Sequence, residues 1–286
     1  MDFFDSRISR VIEQALFEDI GLGDVTTDAI ISEEVQGIAE ILIKENGVLS
    51  GLDVAECVFK TVDDELIFKK IFSDGDIVSK RIVAATMEGS LANILKAERT
   101  ALNFLQRMSG IATLTRKFVK AVEGTNAKIT DTRKTVPTLR FFDKLAVRDG
   151  GGVNHRFGLD DMVLIKDNHI TAAGGIAIAI ERCLKSLESQ NAKLKIEVET
   201  KNLEEVREAL LFAIVIDRIM LDNFSIPMTE EAVTLINRNV EVEASGNVSL
   251  ENVRAIANTG VDFISIGALT HSPKALDISL DVSSKK

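Results

Sequence analysis

The chain has 286 residues, 45% of them hydrophobic and 27% charged, with 3 prolines, a composition that excludes a disordered or fibrous chain and leaves room for a barrel-sized domain beside a smaller one. A formal charge of −10 repels a phosphate backbone and argues against nucleic acid as the main partner. No apolar run approaches the length of a membrane span, and Cys57 and Cys183 stand in no CxxC or histidine-flanked metal spacing, so a cytoplasmic protein with buried free thiols is expected.

Residues 1–21 place apolar side chains at helical spacing with acids among them, without the basic-then-apolar order of a signal peptide. Short alternating runs such as GIAEILIKENGVLSG (37–51), separated by turns such as SDGD (73–76), predict a small α/β unit. From Ser90 to Met108 the positions Leu91, Ile94, Leu95, Ala101, Leu102 and Leu105 form one helical face behind a serine cap, and Ser109-Gly110 is expected to break that helix at a domain boundary.

Beyond Gly110 the rhythm becomes strand then helix, the pattern of parallel strands with crossover helices. Strand ends fall near Asp131, Lys166, Glu199, Asp222, Ser245 and Gly267, and the spacings of 35, 33, 23, 23 and 22 residues suit one βα unit each, with room for insertions in the first two. A closed or nearly closed barrel is the economical reading.

In KIEVE (195–199) the two-residue period turns Glu197 and Glu199 away from Ile196 and Val198. Carboxylates facing a barrel interior are costly unless they meet a ligand, a metal or an open mouth. Glu199 and Asp222 end successive strands and form a pair of hard oxygen donors of the kind that holds magnesium, or else two structural ion pairs. In EASGNV and SIGALTHSP, Ser245, Gly246, Asn247, Gly267, Ala268 and His271 suit a phosphate site after the last strands of a barrel, where helices beginning just beyond would present free N–H groups; as plain βα turns they would need no ligand.

Cations concentrate elsewhere. Residues 131–170 hold seven Lys or Arg against six acids, a local excess inside an acidic chain that fits a small anion. Arg133, Lys134, His155, Arg156 and Lys166 supply it, arginine by paired hydrogen bonds and lysine as a point charge. A solvated face is the plain reading for such residues, but all three histidines, His155, His169 and His271, fall within these motifs.

The ordered set ERTALNFLQRMSGIAT, DTRKT, GGGVNHRFGL, LIKDNHI, IEVE, IMLDNF, EASGN and SIGALTHS resembles quinolinate phosphoribosyltransferase, the carboxylating nicotinate-nucleotide pyrophosphorylase family, over nearly the whole chain. The resemblance implies an N-terminal α/β sandwich domain, residues 1–109, with the tail 272–286 packing on it, and an incomplete (β/α) barrel, residues 110–271. It implies transfer of phosphoribosyl from phosphoribosyl pyrophosphate to quinolinate with decarboxylation, giving nicotinate mononucleotide, pyrophosphate and carbon dioxide for NAD biosynthesis. Arg99, Arg133, His155, Arg156 and Lys166 would hold the two carboxylates of quinolinate, and Lys134 would contact phosphoribosyl pyrophosphate. Glu199 and Asp222 would serve the ribose and its Mg2+, and the two late loops the 5-phosphate. It also implies a homodimer with Arg99 reaching into the partner's barrel. The chain departs from the family's TRKTTPGLR in reading TRKTVPTLR, with Val136 and Thr138 at the changed positions. The TRKT stretch also resembles the paralogous molybdate-transport-associated phosphoribosyltransferase, a first alternative; the others are an aldolase forming a Schiff base at Lys166 and a non-catalytic sensor of an anionic metabolite.

Overall fold

The computed structural model describes residues 6–32 and 34–284. Residues 1–5 of the predicted N-terminal helix, residue 33, and the last two residues of the tail lie outside them. The chain opens with α1 (Ser6–Ile20), α2 (Val25–Ile30), β1 (Gln36–Ile43), β2 (Gly47–Val48), α3 (Leu52–Val62), β3 (Ile67–Lys70), β4 (Ile77–Val78), β5 (Ile82–Ser90) and α4 (Leu91–Ala121). It continues with β6 (Lys128–Thr130), α5 (Arg140–Asp149), β7 (Val163–Ile165), α6 (Asp167–Ala173), α7 (Ile176–Ser189), β8 (Ile196–Thr200), α8 (Leu203–Leu210) and β9 (Arg218–Asp222). The last elements are α9 (Ile226–Ile236), β10 (Glu241–Ser245), α10 (Val253–Asn258), β11 (Phe263–Ser265), α11 (Ala268–His271) and β12 (Ile278–Ser284). Among the described residues no helix is long and apolar enough to cross a membrane.

Two compact units result, one of residues 1–116, 135–151 and 268–286, the other of residues 117–134 and 152–267. In the first, an antiparallel sheet runs β12-β1-β5-β3, so the C-terminal strand pairs with the first one. Alternation along β1 buries Ala39, Ile41 and Ile43. On α4 the predicted face is buried at Leu91, Ile94, Ala101, Leu102 and Leu105, while Leu95 is half-buried, and Ser90 Oγ accepts from the Asn93 amide as the expected cap.

Helix α4 does not stop at Ser109-Gly110. The Ser109 hydroxyl donates to Ser50 O and accepts the Ser50 amide, and a Cβ on Gly110 would stand 2.2 Å from Lys274 O. The small residue serves a close approach of the C-terminal segment within this unit, and one glycine costs a long packed helix only about 1 kcal/mol. The two cysteines are free as expected but half-buried, and burial raises both thiols.

Thr138 stands at φ 70 in the exposed loop before α5, a left-handed conformation that crowds a β-branched side chain. Thr138→Gly removes that crowding and is expected to stabilise the chain by about 1 kcal/mol, net of the added chain entropy. Urea unfolding of the two proteins side by side checks it; a less stable variant would contradict the strain.

Asp149, at the end of α5, accepts the Ser50 hydroxyl at 2.5 Å. Burial raises its pKa to about 6, with the Ser50 hydrogen bond opposing and the Asp74 charge adding to the rise. A carboxyl raised by folding contributes stability that is complete below its unfolded value near ~4 and lost as pH rises through the folded one. Asp149→Asn, which cannot ionise, is therefore expected to flatten the fall in melting temperature between about pH 4 and 6.5. An unchanged slope in thermal melts across that window would refute the assignment.

In the second unit a parallel sheet runs β6-β11-β10-β9-β8-β7, and its strands end where the sequence pattern placed them. Among the described residues β6 and β7 do not pair, and Val153 adds an isolated parallel bridge to Thr130 on the far side of β6. The result is an incomplete (β/α) barrel. The two long gaps hold extra structure, the 152–162 loop before β7 and two helices, α6 and α7, after it.

Candidate active site

The register of the parallel strands decides which side chains share the inner face. Leu164 pairs with Glu197, Glu197 with Arg218, Arg218 with Glu241, and Glu243 with Phe263. The two-residue period then puts Lys166, Glu199, Asp222, Ser245 and Ser265 on that same face, one or two steps nearer the carboxyl ends. Five neighbouring strands thus present an interior rich in charge where a barrel ordinarily packs branched apolar side chains.

At the rim, Lys166 Nζ donates to Glu199 Oε2 at 3.0 Å, while Asp222 is half-buried on the next strand. The Lys166 amide donates to His169 Nδ1, which closes the first turn of α6 and accounts for that histidine in IKDNH. Gly246 stands at φ 94, and a Cβ there would meet Asn223 Oδ1 at 2.2 Å. The Asn223 carboxamide oxygen instead accepts from Asn247 Nδ2 at 2.9 Å, and the Asn223 amide donates to Ser245 O. The loop after β10 is therefore built by hydrogen bonds across its glycine. Its helix, α10, begins only at Val253, later than expected, so free amides of a helix end do not abut Ser245. Gly267 is followed at once by α11.

Below the rim, buried Asp131 accepts from Asn154 Nδ2 at 2.6 Å and from the His155 amide at 3.0 Å, fixing the NHR segment. His155 Nδ1 accepts the Arg156 amide at 2.8 Å, and its Nε2 lies 3.0 Å from Glu197 Oε2 and 3.6 Å from Glu243 Oε2. Arg156 is 8% exposed and donates through Nη1 to Met162 O. Burial lowers its pKa, and the charge of Arg133 lowers it further; Arg133 Nε is itself buried without a hydrogen bond among the described residues. Two guanidiniums held close enough to oppose each other's charge make a site that an anion relieves.

Glu197 and Glu243 are wholly buried. Burial raises each to about 7; Arg218 and Arg156 pull Glu197 back, whereas the Glu197 charge pushes Glu243 further up. Arg218 donates to Glu243 at 2.7 Å and to Glu241 at 3.0 Å, with its guanidinium 3.7 Å from the Phe263 ring centre. Ligand atoms of His155, Glu197 and Glu243 lie within 4.8 Å of one another, close enough for a cation on distance alone. The hydrogen bonds argue otherwise. With Nδ1 accepting a backbone N–H, the neutral imidazole carries its hydrogen on Nε2, which is then a donor and no metal ligand.

Of the residues singled out from the sequence, Arg133, Lys134, His155, Arg156, Lys166, Glu199, Asp222, Ser245, Gly246, Asn247 and Gly267 belong to the barrel unit, with Lys134 exposed. Arg99, Ala268 and His271 belong to the other unit. The Arg99 side chain is 58% exposed, with Glu98 at 3.9 Å, and His271 Nδ1 lies 2.6 Å from Ser272 Oγ. Asp131, Arg218 and Glu243 were not singled out as site residues, and Glu197 received no role. For Glu197, Arg218 and Glu243 the signal is present in the charges at matching parity on neighbouring strands.

Fold and site together define an incomplete (β/α) barrel whose strands end in lysine and carboxylate side chains above a buried cluster of arginine, histidine and glutamate. Residues 24–109 match the model of the quinolinate phosphoribosyl transferase N-terminal domain, and residues 111–281 that of its C-terminal domain. Quinolinate phosphoribosyltransferase [decarboxylating] 2, mitochondrial, of Nicotiana glauca is 48% identical over 97% of this chain and 83% of that protein. The probable nicotinate-nucleotide pyrophosphorylase [carboxylating] of Synechocystis is 46% identical over 95% of this chain and 91% of its own. NadC from Streptococcus pyogenes superposes with a TM-score of 0.94 at 38% identity, covering 100% of both chains. The nicotinate-nucleotide pyrophosphorylase of Ehrlichia chaffeensis gives 0.91 at 42% identity over 99% of this chain and 100% of that one. The chain belongs to the quinolinate phosphoribosyltransferase family.

Proposed function

We propose that this chain transfers phosphoribosyl from phosphoribosyl pyrophosphate to quinolinate with loss of carbon dioxide, forming nicotinate mononucleotide for NAD biosynthesis. The observation that carries this reading is the buried Arg156, depressed by burial and by Arg133, at the mouth of a barrel whose rim holds Lys166, Glu199 and Asp222. Arg133, Arg156 and Lys166 grip the pyridine dicarboxylate, with His155 part of the same cup. Lys134 meets the pyrophosphate, and Ser245, Gly246, Asn247 and Gly267 cradle the 5-phosphate.

Glu199 and Asp222 are carboxylates of matching parity on neighbouring strands, a donor set that fits a hard divalent cation with part of its shell left to water or substrate. When bound there, Mg2+ supplies charge for the departing pyrophosphate. The protein's own part is placement: the cationic cup aligns the ring nitrogen with the ribose carbon, and the fixed charges favour departure of an anion. The ring nitrogen, once cationic, stabilises the electron pair left on C2 as carbon dioxide departs, and that carbon then takes a proton from solvent. Arg99 is supplied by a second copy in a homodimer, and the enzyme is cytoplasmic. Lys166 Nζ is engaged by Glu199 Oε2 at 3.0 Å, a contact that a Schiff base at that nitrogen would give up.

The test is quinolinate labelled in its 2-carboxylate, incubated with phosphoribosyl pyrophosphate and magnesium. Labelled carbon dioxide and pyrophosphate in equal amounts are expected. Release of neither, with ligand still bound, would favour the sensor.

A further inference from the structure

His155 spends both ring nitrogens on protein. Nδ1 takes the Arg156 amide at 2.8 Å, and Nε2 faces Glu197 Oε2 at 3.0 Å, with its side chain only 6% exposed. Behind it, Glu243 stands 3.6 Å from the same nitrogen and is held in turn by Arg218 at 2.7 Å. Glu197 Oε1 and Glu243 Oε1 have no hydrogen bond of ordinary length among the described residues, and the two carboxyl groups lie against each other, with atoms of both and of His155 within 4.8 Å of one another. A buried acceptor in such a place is expensive unless its partner is worth holding.

We propose that Glu197, braced by Glu243 and Arg218, is a positioning residue that fixes His155 in its Nε2–H form, so that His155 in turn sets the backbone of Arg156. The inference deepens the quinolinate reading and rests on it for the meaning of Arg156. It places His155 behind the arginine that grips the carboxylate, with no N–H of its own left to offer the substrate. The series runs from the barrel floor to the rim: Arg218, Glu243 and Glu197, His155, Arg156. Loss of the acceptor frees the imidazole to turn, and the Arg156 amide loses its partner. The cost falls on recognition of the dicarboxylate, while the residues that meet the phosphoribosyl donor keep their places.

Two measurements test it. The first uses the intact wild-type chain labelled with 15N-histidine, which has three histidines; the His155→Gln spectrum identifies the relevant signals. At pH 7.5 the His155 ring is expected as the Nε2–H tautomer with an unprotonated Nδ1. An Nδ1–H tautomer or a doubly protonated ring would overturn the proposal, whatever the enzyme turns over. The second is steady-state kinetics. Glu197→Ala is expected to raise KM for quinolinate at least about ten-fold, the scale of a lost hydrogen bond to a charged group, with KM for phosphoribosyl pyrophosphate within about two-fold. Glu197→Gln, whose amide oxygen still accepts from Nε2–H, is expected to recover most of that loss. A folded Glu197→Ala protein with unaltered KM for quinolinate, or a Gln variant as impaired as Ala, would overturn it. If Glu197→Ala fails to fold, the wild-type tautomer decides. Because that spectrum needs no turnover, failure of the reaction reading and failure of the positioning reading are told apart.

Discussion

Arg218→Ala is expected to cost about 3–5 kcal/mol of stability at pH 8, the scale of a buried ion pair broken from one side. The guanidinium is the counter-charge of the barrel floor. It bonds Glu243 and Glu241 and lies against the face of Phe263, and its charge lowers both Glu197 and Glu243, which burial raises to about 7. Alanine removes the charge and leaves two wholly buried carboxylates to be neutralised by protons. The sign of the pH effect follows. Each glutamate is raised above its unfolded value near ~4, so its contribution is complete below that value and lost as pH rises through the folded one. Without Arg218 the folded pKa values rise further and the loss at high pH deepens. Chemical denaturation at pH 8 and pH 5.5 should show the deficit shrinking at the lower pH. A variant as stable as the wild type at pH 8 would mean that the floor charges are compensated by other groups.

Arg156→Ala is expected to weaken quinolinate binding by about 2 kcal/mol or more, roughly 30-fold, because a desolvated carboxylate loses a charged donor. The arginine is almost fully buried, its Nη1 donates to Met162 O, and its backbone amide is tied to His155. Truncation also removes a cation that opposes Arg133, which recovers part of the cost; Arg156→Lys keeps the charge but loses the paired donors and should fall between Arg156→Ala and the wild type. Titration calorimetry with quinolinate measures both. Affinity unchanged in Arg156→Ala would remove the NHR segment from the site.

Much of this architecture could be read without coordinates. Alternation in KIEVE and its counterparts fixed the inner face of each strand, and the residues ending the strands, Lys166, Glu199 and Asp222, stand at the rim as that parity requires. What escaped was pairing across strands. Glu243 lay inside EASGN, where the serine and glycine drew attention as a phosphate loop. Its partnership with Glu197 and Arg218 depends on register between strands tens of residues apart, which no single strand's period reveals. As the expected end of a helix, Ser109-Gly110 misled for a related reason. Glycine marks breaks in local sequence, yet Gly110 sits mid-helix because the 274–275 backbone passes where a side chain would be. Thr138 went the other way: the changed family position was visible in the sequence, but only the backbone angle of 70° gave it a physical consequence.

The central claim is that the barrel mouth recognises two carboxylates on one pyridine ring beside an activated sugar phosphate. Comparing kcat/KM for quinolinate and for nicotinate, at fixed phosphoribosyl pyrophosphate and magnesium, tests it most directly. Quinolinate should be preferred by at least about 100-fold, since a site built for a second charged group leaves its buried donors unpaired when that group is missing, and Arg156→Ala should erode most of the preference. Equal use of the two acids by the wild-type enzyme would contradict the account.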